Sequence, residues 1–182
     1  MEIIAVYGSS RVTAADPEYA DAYAVGRLLG EAGYGVMTGG YKGAMEAASR
    51  GAAEAGTHVI GVTTAAIQTL SGAQANPWVK EEINYTLFSD RLSHLVKYAD
   101  GYIAMQGGIG TLHEIVNVWE LMRLGEIPHK PLVCFSTLWE DALKVMMTNK
   151  YVHPDYQDFI HFAHTPQEVV AYVQQFKPEE RR

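Results

Sequence analysis

The chain has 182 residues, enough for one domain that buries about two thirds of its unfolded surface and too few for two large ones. With 48% hydrophobic and 19% charged residues it has the balance of a globular protein, not of a disordered one. Fourteen Lys and Arg against 21 Asp and Glu leave a net charge of -7, a poor footprint for binding nucleic acid through its phosphates or for an anionic membrane, so neither partner is expected.

The first residues lack the basic start and long apolar run of a secretory signal and read as a strand over 3–7 that ends at Gly8-Ser9-Ser10. Asp16-Pro17 has the pattern of an N-cap followed by Pro at the first helical position, so a helix is predicted over 17–32, stopped by Gly33. A strand over 35–38 closes on Gly39-Gly40, an Ala-rich helix follows over 44–55, Gly56 stops it, and a third strand is predicted over 58–62. Three strands joined through helices within so short a stretch mean a parallel sheet. Residues 63–76 show no clear period, and Asn76-Pro77 marks a loop. A strand over 83–88 then leads to a helix capped by Ser89 and ending near Tyr98, and a buried strand follows over 101–105. The turn Gln106-Gly107-Gly108-Ile109-Gly110-Thr111 opens a helix reaching Leu124. Another strand is expected over 132–135, an amphipathic helix over 138–147 and a short strand at Phe159-Ile160; Thr165-Pro166-Gln167-Glu168 starts the last helix. The whole reads as one nucleotide-binding domain over 1–176 with a flexible tail over 177–182. Its fold class is α/β, a three-layer, Rossmann-like doubly wound domain with a mostly parallel sheet flanked by helices.

In such a sheet ligands bind beyond the carboxyl ends of the strands, and the glycine clusters fall there. Gly107, Gly108, Gly110 and Thr111 lie between a strand and a helix, where backbone N–H groups and the helix dipole suit a phosphate. The stretch is not a P-loop, because no Lys-Ser/Thr follows the last Gly, and neither it nor Gly8-Ser9-Ser10-Arg11 is a GxGxxG dinucleotide fingerprint. Glu114 admits two readings: the N3 residue of a capping box begun by Thr111, or a carboxylate placed at the phosphate to stabilise positive charge or activate water. Arg91, near a helix start where a cation opposes the dipole, is either a surface residue partnering Asp90 or a fork for phosphate or sugar hydroxyls. In Gly39-Gly40-Tyr41-Lys42-Gly43 the glycines would let a ligand approach, and Lys42 faces either a phosphate or solvent. Cys134 is the single cysteine, which excludes a disulfide framework and fits a cytoplasmic protein; seven scattered His without HExxH give no expectation of a metal.

Taken together, Gly8-Ser9-Ser10, Gly39-Gly40-x-x-Gly43-x-Met45, Gly61-Val62, Arg91 and Gly107-Gly108-x-Gly110-Thr111-x-x-Glu114 resemble, in order and spacing, the LOG ("Lonely guy") family over about residues 3–176. Its members are cytokinin-activating nucleoside 5′-monophosphate phosphoribohydrolases, and relatives often carry the label lysine decarboxylase. The resemblance implies hydrolysis of AMP or N6-modified AMP to free base and ribose 5-phosphate, without cofactor or metal, by a homodimer with active sites near its interface. It implies that Glu114 and Arg91 are catalytic, and that Gly8, Ser9, Ser10, Gly39, Gly40, Gly43, Met45, Gly107, Gly108, Gly110 and Thr111 bind the substrate and its phosphate. Three motifs depart from the family pattern. Gln106 stands where it writes Pro, Leu92 where its Glu-Arg-Lys triplet has Lys, and Thr38 and Glu46 where its GGGxxGxMG has Gly. The same fold includes molybdenum cofactor carrier proteins, which bind a phosphorylated pterin without hydrolysing it, and the departures keep that alternative open. A decarboxylase using pyridoxal phosphate is disfavoured, since no Lys in the core motifs is placed for a Schiff base.

Overall fold

The structure is a computed structural model that describes residues 1–177; residues 178–182, most of the expected tail, lie outside the described residues. Seven strands form one sheet: β1 (Ile3–Tyr7), β2 (Gly35–Thr38), β3 (Val59–Thr64), β4 (Glu81–Tyr85), β5 (Gly101–Ala104), β6 (Leu132–Phe135) and β7 (His161–Ala163). Their order is β4-β3-β2-β1-β5-β6-β7, and each neighbouring pair is parallel, so the sheet is wholly parallel and not merely mostly so. The helices are α1 (Pro17–Glu31), α2 (Ala44–Glu54), α3 (Ala65–Ser71), α4 (Phe88–Lys97), α5 (Ile109–Leu124), α6 (Thr137–Met147) and α7 (Pro166–Gln175).

A central parallel strand is covered on both faces, which is why β1, β2, β5 and β6 read as unbroken apolar runs. In β1, Ile4 and Val6 face a core shared with α1, α2 and α7 through Val25, Ala48 and Val169, whereas Ala5 and Tyr7 face a second core with Leu95, Ile115 and Trp139. The two cores are the two interlayer spaces of a three-layer α/β fold. α1 crosses α2 almost backbone to backbone: a Cβ on Gly26 would stand 2.1 Å from the Ala48 carbonyl oxygen. That contact sets how closely α1 and α2 approach.

Several local expectations are corrected. Residues 65–71 are helical, with the Thr64 hydroxyl accepting from Ala66 N–H and Gly72 closing the helix in the left-handed region at φ 67°; α3 buries no residue, so it carries no hydrophobic period to read. β3 starts one residue later than predicted and runs two further, and β4 ends at Tyr85, short of the predicted Phe88. Ser89 is not a cap: α4 begins at Phe88 after Leu87, with no side chain capping it. Asp16 does stand at the N-cap of α1, but its carboxylate turns back to accept from Thr13 N–H and Oγ1 at 2.7 and 2.8 Å. Phe159 belongs to a 3-10 turn (Pro154–Phe159), and the last strand follows at His161–Ala163.

Candidate functional site

The sequence connections run from β1 outward through β2 and β3 to β4, then return to β5 on the other side of β1. The gap between β1 and β5 is therefore the switch point at which an α/β sheet opens a crevice beyond its carboxyl ends. The loops after both strands are tied there, with Ser9 N–H donating to the Gln106 carbonyl at 3.1 Å and Ala44 N–H donating to the Ser9 carbonyl at 2.9 Å. Gly8, Ser9, Gly43 and the turn after β5 thus form one floor. Both backbone polar groups of Ser9 are used inside it, and Ser9 Oγ accepts from Arg11 N–H, so Ser9 contributes architecture here; Ser10 is exposed beside it.

The loop after β2 is packed tight. Gly43 caps α2 at φ 78°, where a Cβ would lie 2.3 Å from the Ser9 carbonyl oxygen and 2.7 Å from Ser10 Cα. Gly39 needs its missing Cβ for another reason: the Arg91 guanidinium occupies that space, with Nη2 2.1 Å from the position a Cβ would take and Met45 Sδ 2.7 Å from it.

Arg91 is 4% exposed, in the first turn of α4, and its Nε donates to the Val62 carbonyl at 2.8 Å. Its Cζ lies 5.9 Å from the Tyr41 ring centroid and 5.7 Å from that of Phe88. A buried guanidinium requires such partners, and the reading of Arg91 as a solvated surface residue is overturned. Its Nη1 stands 3.8 Å from Glu114 Oε1 on α5. That is close enough for strong attraction yet beyond hydrogen-bond length, so each group keeps hydrogen-bonding capacity for something bound between them. Burial raises the Glu114 carboxyl from 4.5 to about 7, against the opposing pull of Arg91. Behind the pair, the buried Tyr7 phenol is held neutral by desolvation and by the Glu114 charge, and donates to the Leu95 carbonyl at 3.3 Å.

The capping-box reading of Thr111 and Glu114 is also overturned. α5 starts at Ile109 with Gly108 as N-cap and no side-chain cap, so Glu114 lies beyond the first turn and points to Arg91. Leu112 N–H makes the first helical bond, to the Gly108 carbonyl at 3.0 Å. The N–H groups of Ile109, Gly110 and Thr111 therefore project from the helix end with its positive dipole, an arrangement that suits an anion. Thr111 is buried against Gly107, where a Cβ would sit 2.2 Å from its hydroxyl oxygen. At Gly108 and Gly110 a Cβ would meet nothing within 4 Å, and neither has a left-handed φ.

The sequence reading missed three contributors. Tyr41 lies under Arg91, its hydroxyl donating to the Thr64 carbonyl (3.1 Å) and accepting from Thr64 N–H (2.9 Å). Asn76, read only as a loop marker, is buried and its Nδ2 donates to the Gly40 and Tyr41 carbonyls at 3.1 and 3.0 Å. Phe88 was assigned to a strand. The Asn76-Pro77 pair was the one signal available for Asn76, because an Asn can satisfy a turn's carbonyls with its side chain. Lys42 is exposed, Gln106 Oε1 is buried with no hydrogen-bond partner among the described residues, and Leu92 is buried in α4. A separate cavity of about 430 Å³ lies on the outer face of α5 against α6 and the 3-10 turn, lined by Val116, Trp119, Arg123, Met146, Tyr151 and neighbours, none of them a candidate site residue.

The chain is 28% identical over 161 residues to the cytokinin riboside 5′-monophosphate phosphoribohydrolase LOG of Oryza sativa subsp. japonica, covering 85% of this chain and 65% of that one. The match to a second rice protein, named as a probable enzyme of the same activity, spans 61% of its length, so the chain spans less than two thirds of these relatives. Among solved structures, the molybdenum cofactor carrier protein of Chlamydomonas reinhardtii superposes with a TM-score of 0.72 at 25% identity over 96% of both chains. The molybdenum cofactor binding protein of Rippkaea orientalis gives 0.74 at 24% identity over 95% of both, a likeness of fold. A family model described as "Possible lysine decarboxylase" matches residues 45–173, a stretch that contains Arg91, the turn after β5 and Glu114. The chain belongs to that family, the LOG-type group whose glycine motifs it carries.

Proposed function

We propose that the chain hydrolyses the N-glycosidic bond of a nucleoside 5′-monophosphate, AMP or an N6-modified AMP, to free base and ribose 5-phosphate. The observation that carries this reading is the buried Arg91–Glu114 pair, 3.8 Å apart, beside the uncapped start of α5. The free N–H groups of Ile109, Gly110 and Thr111 hold the 5′-phosphate and so fix the ribose over the pair. The C1′–N bond lengthens with its electrons going to the base, and positive charge develops at C1′. Ionised Glu114 stabilises that cation through the ribose hydroxyls or takes the proton of the attacking water; the water oxygen bonds to C1′, and that proton passes through Glu114 or solvent to the nitrogen of the departing base. Arg91, fixed on the Val62 carbonyl, holds the substrate and keeps Glu114 in place.

The decarboxylase description does not fit the donor set for pyridoxal phosphate: Lys42 is exposed and Lys130, at the amino end of β6, donates to the Ala99 carbonyl. A carrier of a phosphorylated ligand such as molybdenum cofactor is the second reading, favoured by the structural likeness to the Chlamydomonas reinhardtii carrier and by the buried Leu92 in place of the family's Lys. No helix among the described residues is long and apolar enough to cross a membrane. We place the protein in the cytoplasm, as a homodimer with active sites near its interface.

Incubation with AMP, with free adenine followed by chromatography, tests the hydrolase. Glu114→Gln is expected to lower kcat by about 10²-fold or more while AMP still binds. A fully active Glu114→Gln protein removes Glu114 from the mechanism, and tight binding without turnover by the unaltered protein supports the carrier.

A further inference from the structure

Phe88 is the feature that the reading above leaves unused. It is the first residue of α4, a large apolar side chain left 38% exposed beside the exposed Leu87. Its ring lies 6.1 Å from the His113 ring at an interplanar angle of 25°, a stacked arrangement. His113 immediately precedes Glu114 on α5, and Phe88 lies one helical turn before Arg91 on α4. The ring pair thus bridges the two helices that supply the charged pair. Arg91 also faces Phe88, its Cζ 5.7 Å from the ring centroid, and is held besides by the Val62 carbonyl and the Tyr41 ring. What remains is an aromatic surface, open to solvent, next to a buried charge pair and to the anion-ready end of α5.

We propose that Phe88, backed by His113, is the stacking platform for the planar heteroaromatic ring of a phosphate ester, and that it selects ring-bearing ligands over the bare sugar phosphate. This rests on the phosphate and Arg91–Glu114 assignments above but not on turnover. A flat ring laid on Phe88 recovers the stacking that the exposed side chain lacks, a gain of about tenfold in affinity for each base stacked on an aromatic residue. Purine and pterin rings share that chemistry.

Calorimetric titration separates the parts. Carbocyclic AMP, with the ribose ring oxygen replaced by methylene, resists glycosidic cleavage and reports binding whether or not the protein is a hydrolase. It is titrated beside ribose 5-phosphate and a phosphorylated pterin. The unaltered protein is expected to bind one of the ring-bearing esters about tenfold or more tighter than ribose 5-phosphate, and the tighter of the two identifies the ring. Phe88→Leu, which keeps apolar bulk but no ring, is expected to lose that preference, and Phe88→Trp to keep it. Equal affinities in the unaltered protein, no binding by any of the three ligands, or a preference that survives in Phe88→Leu overturns the proposal. Failure of the hydrolase reading alone shows differently, as retained ring preference with no base released from AMP.

Discussion

Two glycine loops flank the crevice, one after β2 and one after β5, and their glycines are there for opposite reasons. In the first, Gly39 and Gly43 are demanded from inside: a side chain would strike the Arg91 guanidinium in one case and the Ser9 backbone in the other. In the second, Gly108 and Gly110 face open space with ordinary backbone angles, so nothing within the protein forbids a larger residue. Glycine weakens a helix relative to Ala by roughly 1 kcal/mol in its interior, and Gly110 sits in the first turn of α5. At the phosphate site proposed above, that open space would let a ligand come close to the backbone. The packed loop sets the position of Arg91, and the open loop leaves room at the start of the helix that carries Glu114.

The largest effect should come from breaking the packed loop. Gly43→Ala combines a left-handed φ with a backbone collision, and is expected to cost more than about 3 kcal/mol in urea-induced unfolding. A loss below about 1 kcal/mol would mean that the loop relaxes easily and that the contrast drawn above is wrong.

The charged pair gives the next effect. Folding raises the Glu114 carboxyl from 4.5 to about 7, so the folded chain holds its proton where the unfolded chain has released it. Stability from this group is therefore greatest below about pH 4.5 and falls as pH rises to about 7. The full shift corresponds to about 3 kcal/mol. The pull of Arg91 is already contained in that shift, so Glu114→Gln, which mimics the protonated carboxyl, is expected to gain up to about 3 kcal/mol at pH 8 and nothing near pH 4.5. Thermal unfolding at the two pH values checks this. In the same titration range, kcat/KM for AMP should rise with pH through about 7 if, as proposed, the ionised carboxylate is the working form.

The open loop should give the smallest change in stability, with the opposite sign for binding. Gly110→Ala is expected to raise stability by roughly 0.5 kcal/mol while weakening ribose 5-phosphate binding by about tenfold, since its methyl enters the space where the phosphate meets the N–H groups. Unaltered affinity in Gly110→Ala would remove the ligand-facing role of that glycine.

The same four-residue pattern shows how far local sequence can be read. Thr165-Pro166-Gln167-Glu168 forms the capping box it suggests, the Thr hydroxyl accepting from Glu168 N–H and the Glu carboxylate accepting from Thr165 N–H. Thr111-Leu112-His113-Glu114 has the same spacing and does not, because Thr111 is buried against Gly107 and α5 begins two residues earlier. Local chemistry decides a helix start at the exposed α7 and loses to tertiary packing at the site. Strands β2 and β6 were legible to the residue, since burial on both faces writes itself as an apolar run between glycines or prolines. The meeting of Arg91 with Glu114 was not, because it depends on how α4 and α5 lie across the sheet. Tyr41 was invisible for a related reason: its partners are backbone groups, which no sequence pattern names.

Asn76 has a kinetic consequence. Through two hydrogen bonds it fastens the chain after α3 to the Gly40–Tyr41 turn, and Tyr41 in turn clasps both the N–H and the carbonyl of Thr64. Segments that share such bonds open together as a single cooperative unit. Amides of the Gly40–Tyr41 turn, the end of β3 and the Asn76 loop should then exchange their hydrogens at one common rate. Any fluctuation that frees the loop would release the Tyr41 ring and the strand end that anchors Arg91, so the lifetime of the assembled crevice is set by a segment that touches neither charged residue.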